Sequence, residues 1–522
     1  MLKPMHFLIP IILLISLSSY AQVDSLVRWS ELDYTSPFES TEFKNHFKRG
    51  ETNFTSLFFA NSPAAVQDAK NFEERFNAAI NEIESSGNLN KKNDKKIKYI
   101  YQLVHSRFLS KYEEENRFYE ISRTGYYNCV TATALYAIFF EKLKIPYTIK
   151  EKPTHVYLVA YPNAENIMIE TTTPIFGFLT FDNAYKTNFI NNLKNQKIIG
   201  ASEVNNSNTD ELFNKYYFGS ENINLSQLVG IQYLNDALFR QDHNDIAGAY
   251  EQIKKGYWFY PNVRSEYLLL HFSAARLETS NLDPLKKAGL IGRISRLKEK
   301  GITAEMIKGE FYNLTQTVLF KNNDKQLYKK CFEAVIQNTT DQEILDEISF
   351  VYYYESGRAF YNQGNFIRAK AFFARALEIQ PNNVDLGGIF VSCITQSFRN
   401  ERNNRVVLDS LVSYKNRFPS LGENVNFNSV LALSYVVEFG ESFKNKDEKR
   451  GEQYRNLFEE YYSNQNITII SSQVVGQAYS EACVYYFQKG QKAKANQYLQ
   501  RGLEIVPDDY QLKMRKQMLG GG

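Results

Sequence analysis

A recurring pattern of small and aromatic residues in the second half of the chain constrains the fold more than any other feature. In VYYYESGRAFYNQGNFIRAKAFFARALEIQPNN, Gly357, Ala369 and Ala376 stand where two helices must approach closely. Phe360, Phe366 and Phe373 fill the space between those helices, Gly364 falls at the turn, and Pro381 stops the second helix. Matching offsets recur in a segment ending at Pro507, with Tyr479, Tyr486, Gly490, Ala495 and Leu499. A weaker copy ends at Pro261, with Tyr233, Ala237, Ala249 and Ile253, and there Arg240 stands where the first copy has Phe360. Between them, AEMIKGEFYNLTQTVLF and DKQLYKKCFEAVIQ read as further helix pairs without the full pattern. One such pair cannot bury its own apolar face, so at least about three must stack. The spacing therefore predicts an all-α solenoid over residues 225–515.

This pattern resembles the tetratricopeptide repeat, a helix–turn–helix unit. The resemblance implies a curved groove that takes a protein or peptide partner. Composition agrees with packed helical layers: 43% of the 522 residues are hydrophobic and 15% aromatic. The formal net charge is only +3 and no long basic block occurs, which gives no reason to expect nucleic acid as a partner. Four cysteines are too few for a disulfide-built fold. Cys331, Cys393 and Cys483 sit in helical runs as small core residues, whereas Cys129 has a different setting.

Residues 1–21, MLKPMHFLIPIILLISLSSYA, read as a secretory signal peptide. Lys3 supplies the positive start, Phe7–Leu17 the apolar stretch, and Ser19 and Ala21 the small residues of a cleavage site. No later stretch reaches about 18 uninterrupted apolar residues. The expectation is an exported protein, periplasmic or secreted, without stable membrane insertion once the signal is removed.

Residues 64–83 and 93–112 have helical periodicity. A loop containing Gly125 then leads to a helix that starts at or beside Cys129, with Asn128 as its N-cap. Ala132, Leu135, Tyr136, Phe139 and Leu143 form its buried stripe. After Pro146 the pattern alternates with period two through YTIKEK, THVYLVAY and NIMIETT, which predicts three strands. A turn centred on Pro162-Asn163 sets Tyr161 opposite Ala164, and the same register sets His155 opposite Glu170. A one-residue slip would send them to opposite faces. A cysteine at a helix N-terminus, a histidine on the adjacent sheet and a carboxylate beside it form nucleophilic acyl-transfer machinery.

YYNCVTATALYAIFFEKLKIPY, THVYLVAY and IMIETTTP together resemble the transglutaminase-like branch of the papain-like cysteine enzymes. The resemblance implies an α+β domain over residues 22–222 with its core at 96–180. It also implies that Cys129 is the nucleophile, His155 the base and Glu170, in place of the family's usual Asp, the orienting acid. The expected fold is thus a papain-like N-terminal domain followed by the helical solenoid, mainly α overall. No HExxH, CxxC pair, GxGxxG or GxxxxGK[ST] occurs, so no metal or other cofactor is expected. The charge runs NKKNDKKIK and KNKDEKRGE read as solvated faces or loops, and His46, His105, His243 and His271 as structural or surface residues. Two functions remain open: a thiol acyl-transfer enzyme (peptide or amide hydrolysis, or crosslinking) with a partner-binding module, or a non-catalytic secreted scaffold that keeps the domain only as a support.

Overall fold

Apolar side chains at helical spacing run through most of the sequence, and in the computed structural model the protein is mainly α. The structure describes residues 26–520 except 153–154, 163, 172–177, 180–182, 196–198, 200–202, 204–206, 218, 220, 280–281, 465–466 and 469. The signal-peptide segment 1–21, Asn163 of the expected turn, and Thr154 and Thr172 at the ends of the second and third expected strands lie outside the described residues. The chain divides into two compact units, residues 1–281 and 282–522.

The first unit opens with α1 (Pro37–Lys44), α2 (Phe54–Phe59), α3 (Ala65–Ser85) and α4 (Asn93–Phe108). The helix expected to run to residue 112 ends at Phe108, and Lys111–Tyr112 instead form β1. After α5 (Phe118–Arg123), Gly125 takes a left-handed φ of 76° and turns the chain into β2 (Tyr126–Tyr127), which pairs in parallel with β1. Next comes α6 (Cys129–Leu143). Its buried surface is wider than the expected stripe, since every residue from Val130 to Phe140 is buried. Strands β3 (Tyr147–Lys152), β4 (His155–Ala160), β5 (Ile167–Ile169), β6 (Phe178–Leu179) and β7 (Glu221–Ile223) form an antiparallel sheet in the order β6-β5-β4-β3-β7. Helices α7 (Asn183–Asn195) and α8 (Thr209–Tyr217) lie between β6 and β7 in sequence.

The hairpin register differs from the expected one by two residues. Leu158 pairs with Ile169, Val159 with Met168 and Ala160 with Ile167. The cause is the turn: Tyr161 and Asn166 both adopt left-handed backbone, and the Tyr161 carbonyl accepts from the Ala164 and Asn166 N–H groups. The connection is therefore longer than the Pro162-Asn163 turn anticipated. An even shift preserves the face on which each side chain stands. His155 and Glu170 are consequently diagonal neighbours on one face rather than directly opposed.

The same unit closes with α9 (Leu225–Asp242), α10 (Ile246–Phe259) and α11 (Val263–Glu278). A buried polar network holds the first two of these to the N-terminal helices. Lys255 Nζ donates to both carboxylate oxygens of Glu39 at 3.0 Å, and neither side chain is exposed. The Tyr233 hydroxyl donates to the same carboxylate at 2.8 Å. Gln232, also buried, accepts from the Phe118 N–H and donates to the Phe58 carbonyl. Arg240, the residue that broke the aromatic pattern, donates to Asp236 and Asp245 instead.

The second unit is helical throughout its described residues: α12 (Pro284–Ile294), α13 (Ala304–Thr315), α14 (Lys325–Ile336), α15 (Gln342–Asn362), α16 (Phe366–Ile379), α17 (Val384–Ser397), α18 (Asn404–Arg417), α19 (Val425–Lys444), α20 (Glu448–Asn464), α21 (Ser472–Gln488), α22 (Lys492–Ile505) and α23 (Tyr510–Gly520). Glycine sets the close approaches within the pairs. A methyl added at Gly357 would lie 2.6 Å from the Phe373 ring, and one at Gly502 would lie 2.8 Å from Tyr479 Cβ. In the first unit, Gly230 and Gly256 let α9 and α10 meet backbone to backbone. The turns are equally uniform. Asn244, Gly364, Lys446 and Gly490 each sit two residues past the first helix of a pair, and all take left-handed φ, between 60° and 75°. The charge run KNKDEKRGE is thus the turn and second-helix start of a further pair, α19–α20.

Candidate functional site

The N-terminus of α6 is fixed by a buried polar knot. Asn128 caps the helix: its side-chain oxygen accepts from the Thr131 N–H at 3.0 Å, while the Thr131 hydroxyl oxygen accepts from the Asn128 N–H at 2.9 Å. The Asn128 amide also donates to the carbonyls of Glu114 and Asn116, at 3.0 and 3.2 Å. The Thr131 hydroxyl donates to Asn116 Oδ1 at 3.2 Å. Asn116, Asn128 and Thr131 are all buried, so the polar groups at this helix mouth satisfy one another. Cys129 is the first helical residue and is half-buried.

One turn along the same helix face, the Thr133 hydroxyl donates to the Val156 carbonyl at 3.3 Å. That bond anchors α6 over the start of β4 and carries Cys129 to His155, the neighbour of Val156. His155 Nε2 lies 3.1 Å from Glu170 Oε2, with side chains 24% and 14% exposed. Cys129, at the mouth of α6, acts on the imidazole more strongly than any other group. The Tyr157 ring stacks beside His155 at 5.9 Å and 18°. Cys129 first, and then the bond to Glu170, raise the imidazole pKa from 6.5 to about 9 against the opposing effect of burial. All three residues singled out from the sequence meet here.

The other cysteines have a contrasting environment. Cys331, Cys393 and Cys483 are buried in helices. Burial pushes the first two thiols up to about 12 and also raises the third. They remain thiols at neutral pH.

Tyrosines line the site in a way the sequence did not disclose. Tyr112 of β1 is 41% exposed, and its phenol pKa is raised by burial and then by the charge of Cys129. Tyr127 of β2 packs edge-on against it at 5.9 Å. Tyr101 of α4 is raised to about 12 by burial, with Tyr127 and Glu170 adding to the shift. The Tyr101 hydroxyl, His105 Nε2 and Thr171 Oγ1 are buried without a hydrogen-bond partner among the described residues. YYN immediately before Cys129 was the one sequence signal for any of these tyrosines; Tyr101 and Tyr112 carried none. Among the described residues, no cluster of His, Cys, Asp and Glu is arranged to hold a metal ion.

Comparison with known proteins bears on the other half of the chain. The family model for the tetratricopeptide repeat matches residues 350–383. That span covers the turn at Gly364 and the contact of Gly357 with Phe373, and it indicates a protein-interaction module. No curated protein matches the chain. Among the described residues, no helix is long and apolar enough to cross a membrane.

Proposed function

We propose that this is an exported, two-part protein in which a transglutaminase-like thiol site performs acyl transfer at a peptide amide, while helical repeats hold a protein or peptide partner. The His155–Glu170 pair, with Cys129 at the mouth of α6 acting on the same imidazole, is the observation that carries the reading. Cys129 gives its proton to His155, and the thiolate attacks the amide carbonyl carbon. The Cys129 and Val130 N–H groups, the first two of α6, lie outside the Asn128 cap and are the donors for the developing oxyanion. His155 then protonates the leaving amine or ammonia, and the C–N bond breaks to leave a thioester on Cys129. Water or a second amine, deprotonated by His155, attacks the thioester and releases the thiolate. Water gives hydrolysis; an amine gives a crosslink. Glu170 holds the imidazole in orientation and stabilises its cation throughout.

Alkylation with iodoacetamide at pH 7, followed by peptide mapping, tests this. Cys129 is expected to react far faster than Cys331, Cys393 and Cys483, which serve as references in the same chain, and His155→Ala is expected to abolish the advantage. Reaction of Cys129 at the rate of an ordinary thiol, with a pKa of about 8.5, would overturn the reading in favour of a non-catalytic scaffold.

A further inference from the structure

The tetratricopeptide span is indented by a groove of about 340 Å³ between α14, α15 and α16. This lies at the small end of the range for ligand clefts, about 300–1,000 Å³, with room for side chains rather than a folded surface. Its floor is aromatic. Tyr352 stacks on Phe332 with ring centres 4.0 Å apart, and Phe360 stacks on Phe372 at 5.5 Å. Its rim is cationic. Lys325 Nζ sits 5.3 Å and the Arg368 guanidinium 5.5 Å from the centre of the same Phe360 ring. Lys329 also lines the groove, within 3.6 Å of Glu333 along its own helix.

The charge pattern is one-sided. Among the described residues that line the groove, three are cations and none is a carboxylate; Glu333 and Glu355 stand behind it, near Tyr352 and Tyr328. Among the described residues, neither Lys325 nor Arg368 is within ion-pair distance of an acid, although exposed cations elsewhere in this unit, such as Lys489 and Arg501, pair with glutamates. Two cations held over one ring, with no counter-charge of their own, leave a positive potential above an apolar surface.

We infer that this groove binds a peptide segment in which an aliphatic or aromatic side chain, laid on Tyr352, Phe360 and Phe372, is flanked by aspartate or glutamate bound by Lys325 and Arg368. This rests on the reading of the repeats as a partner-binding module and specifies the partner's chemistry. It is independent of Cys129.

Fluorescence anisotropy on the full chain tests it. The probes are a labelled heptapeptide alternating aspartate with leucine and phenylalanine, and two counterparts with lysine or serine in place of aspartate. The acidic probe is expected to bind at least about tenfold more tightly than either counterpart, and less tightly as salt is raised. Lys325→Glu with Arg368→Glu is expected to weaken it by at least about tenfold. Arg368→Gln, a milder change at an exposed position, is expected to weaken it in the same direction with an unchanged melting curve. Equal binding of all three probes, or wild-type binding by these variants, would overturn the groove while leaving a peptide-binding module in place. Absence of binding by every probe would overturn both.

Discussion

Replacing Glu170 with Gln keeps the side chain's shape and removes its charge, so it isolates what the carboxylate does for His155. The wild-type imidazole rises from 6.5 to about 9. At about 1.4 kcal/mol per pH unit, this is about 3 kcal/mol in favour of the protonated ring. Glu170 supplies the second-largest favourable contribution, after Cys129, and burial opposes both. Without the carboxylate, the His155 pKa should fall by about 1–2 units. A group whose pKa is raised on folding contributes fully below its unfolded value of 6.5, and loses that contribution as pH rises through about 9. Wild-type protein should therefore lose up to about 3 kcal/mol of stability across that window, and Glu170→Gln should show a flatter, lower profile. The assay is a histidine-labelled NMR titration, with the His155 signal assigned from His155→Ala, alongside denaturant unfolding at pH 6, 8 and 9.5. A His155 signal that titrates near 6.5 in wild type, or one unmoved by Glu170→Gln, would refute the reasoning.

Other expectations concern how the site and the repeats are held. Asn128→Ala removes an N-cap and leaves buried groups unpaired, and should cost about 1–3 kcal/mol in unfolding free energy while slowing Cys129 alkylation. Gly357→Ala places a methyl 2.6 Å from the Phe373 ring and should lower the melting temperature of the second unit, at a cost of about 1–3 kcal/mol. Glu39→Gln strands the buried Lys255 ammonium and should cost about 3–5 kcal/mol, whereas Glu39→Leu with Lys255→Met and Tyr233→Phe, which removes the other buried donor to that carboxylate, should recover part of that loss in the same denaturant assay.

The sequence disclosed the parts of this fold that depend on local pattern. The N-cap Asn128 followed by a long apolar run located α6, and alternation located β3, β4 and β5. The register was harder, because it depended on the backbone of Tyr161 and Asn166, both in left-handed conformation, and only asparagine is a type that favours it. The face assignment survived because the shift was even, so His155 and Glu170 still met. Repeats were legible where glycine marked the turn, at Gly364 and Gly490. The α19–α20 pair was hidden because Lys446 holds the same left-handed position, and the charges around it read as solvent-facing. Arg240 looked like damage to a repeat, yet it pairs with Asp236 and Asp245. Pairings made between residues more than 100 positions apart, such as Lys255 with Glu39 and Arg117 with Asp236, have no local signature.

A pre-steady-state reaction with p-nitrophenyl acetate tests the central chemistry most directly, because it asks whether Cys129 takes up an acyl group. The account predicts a burst of about one p-nitrophenolate per chain, an acetyl mass on the peptide containing Cys129, and loss of both in Cys129→Ala and His155→Ala. Acetyl groups scattered over lysines, with no burst and no difference between these variants and wild type, would contradict it.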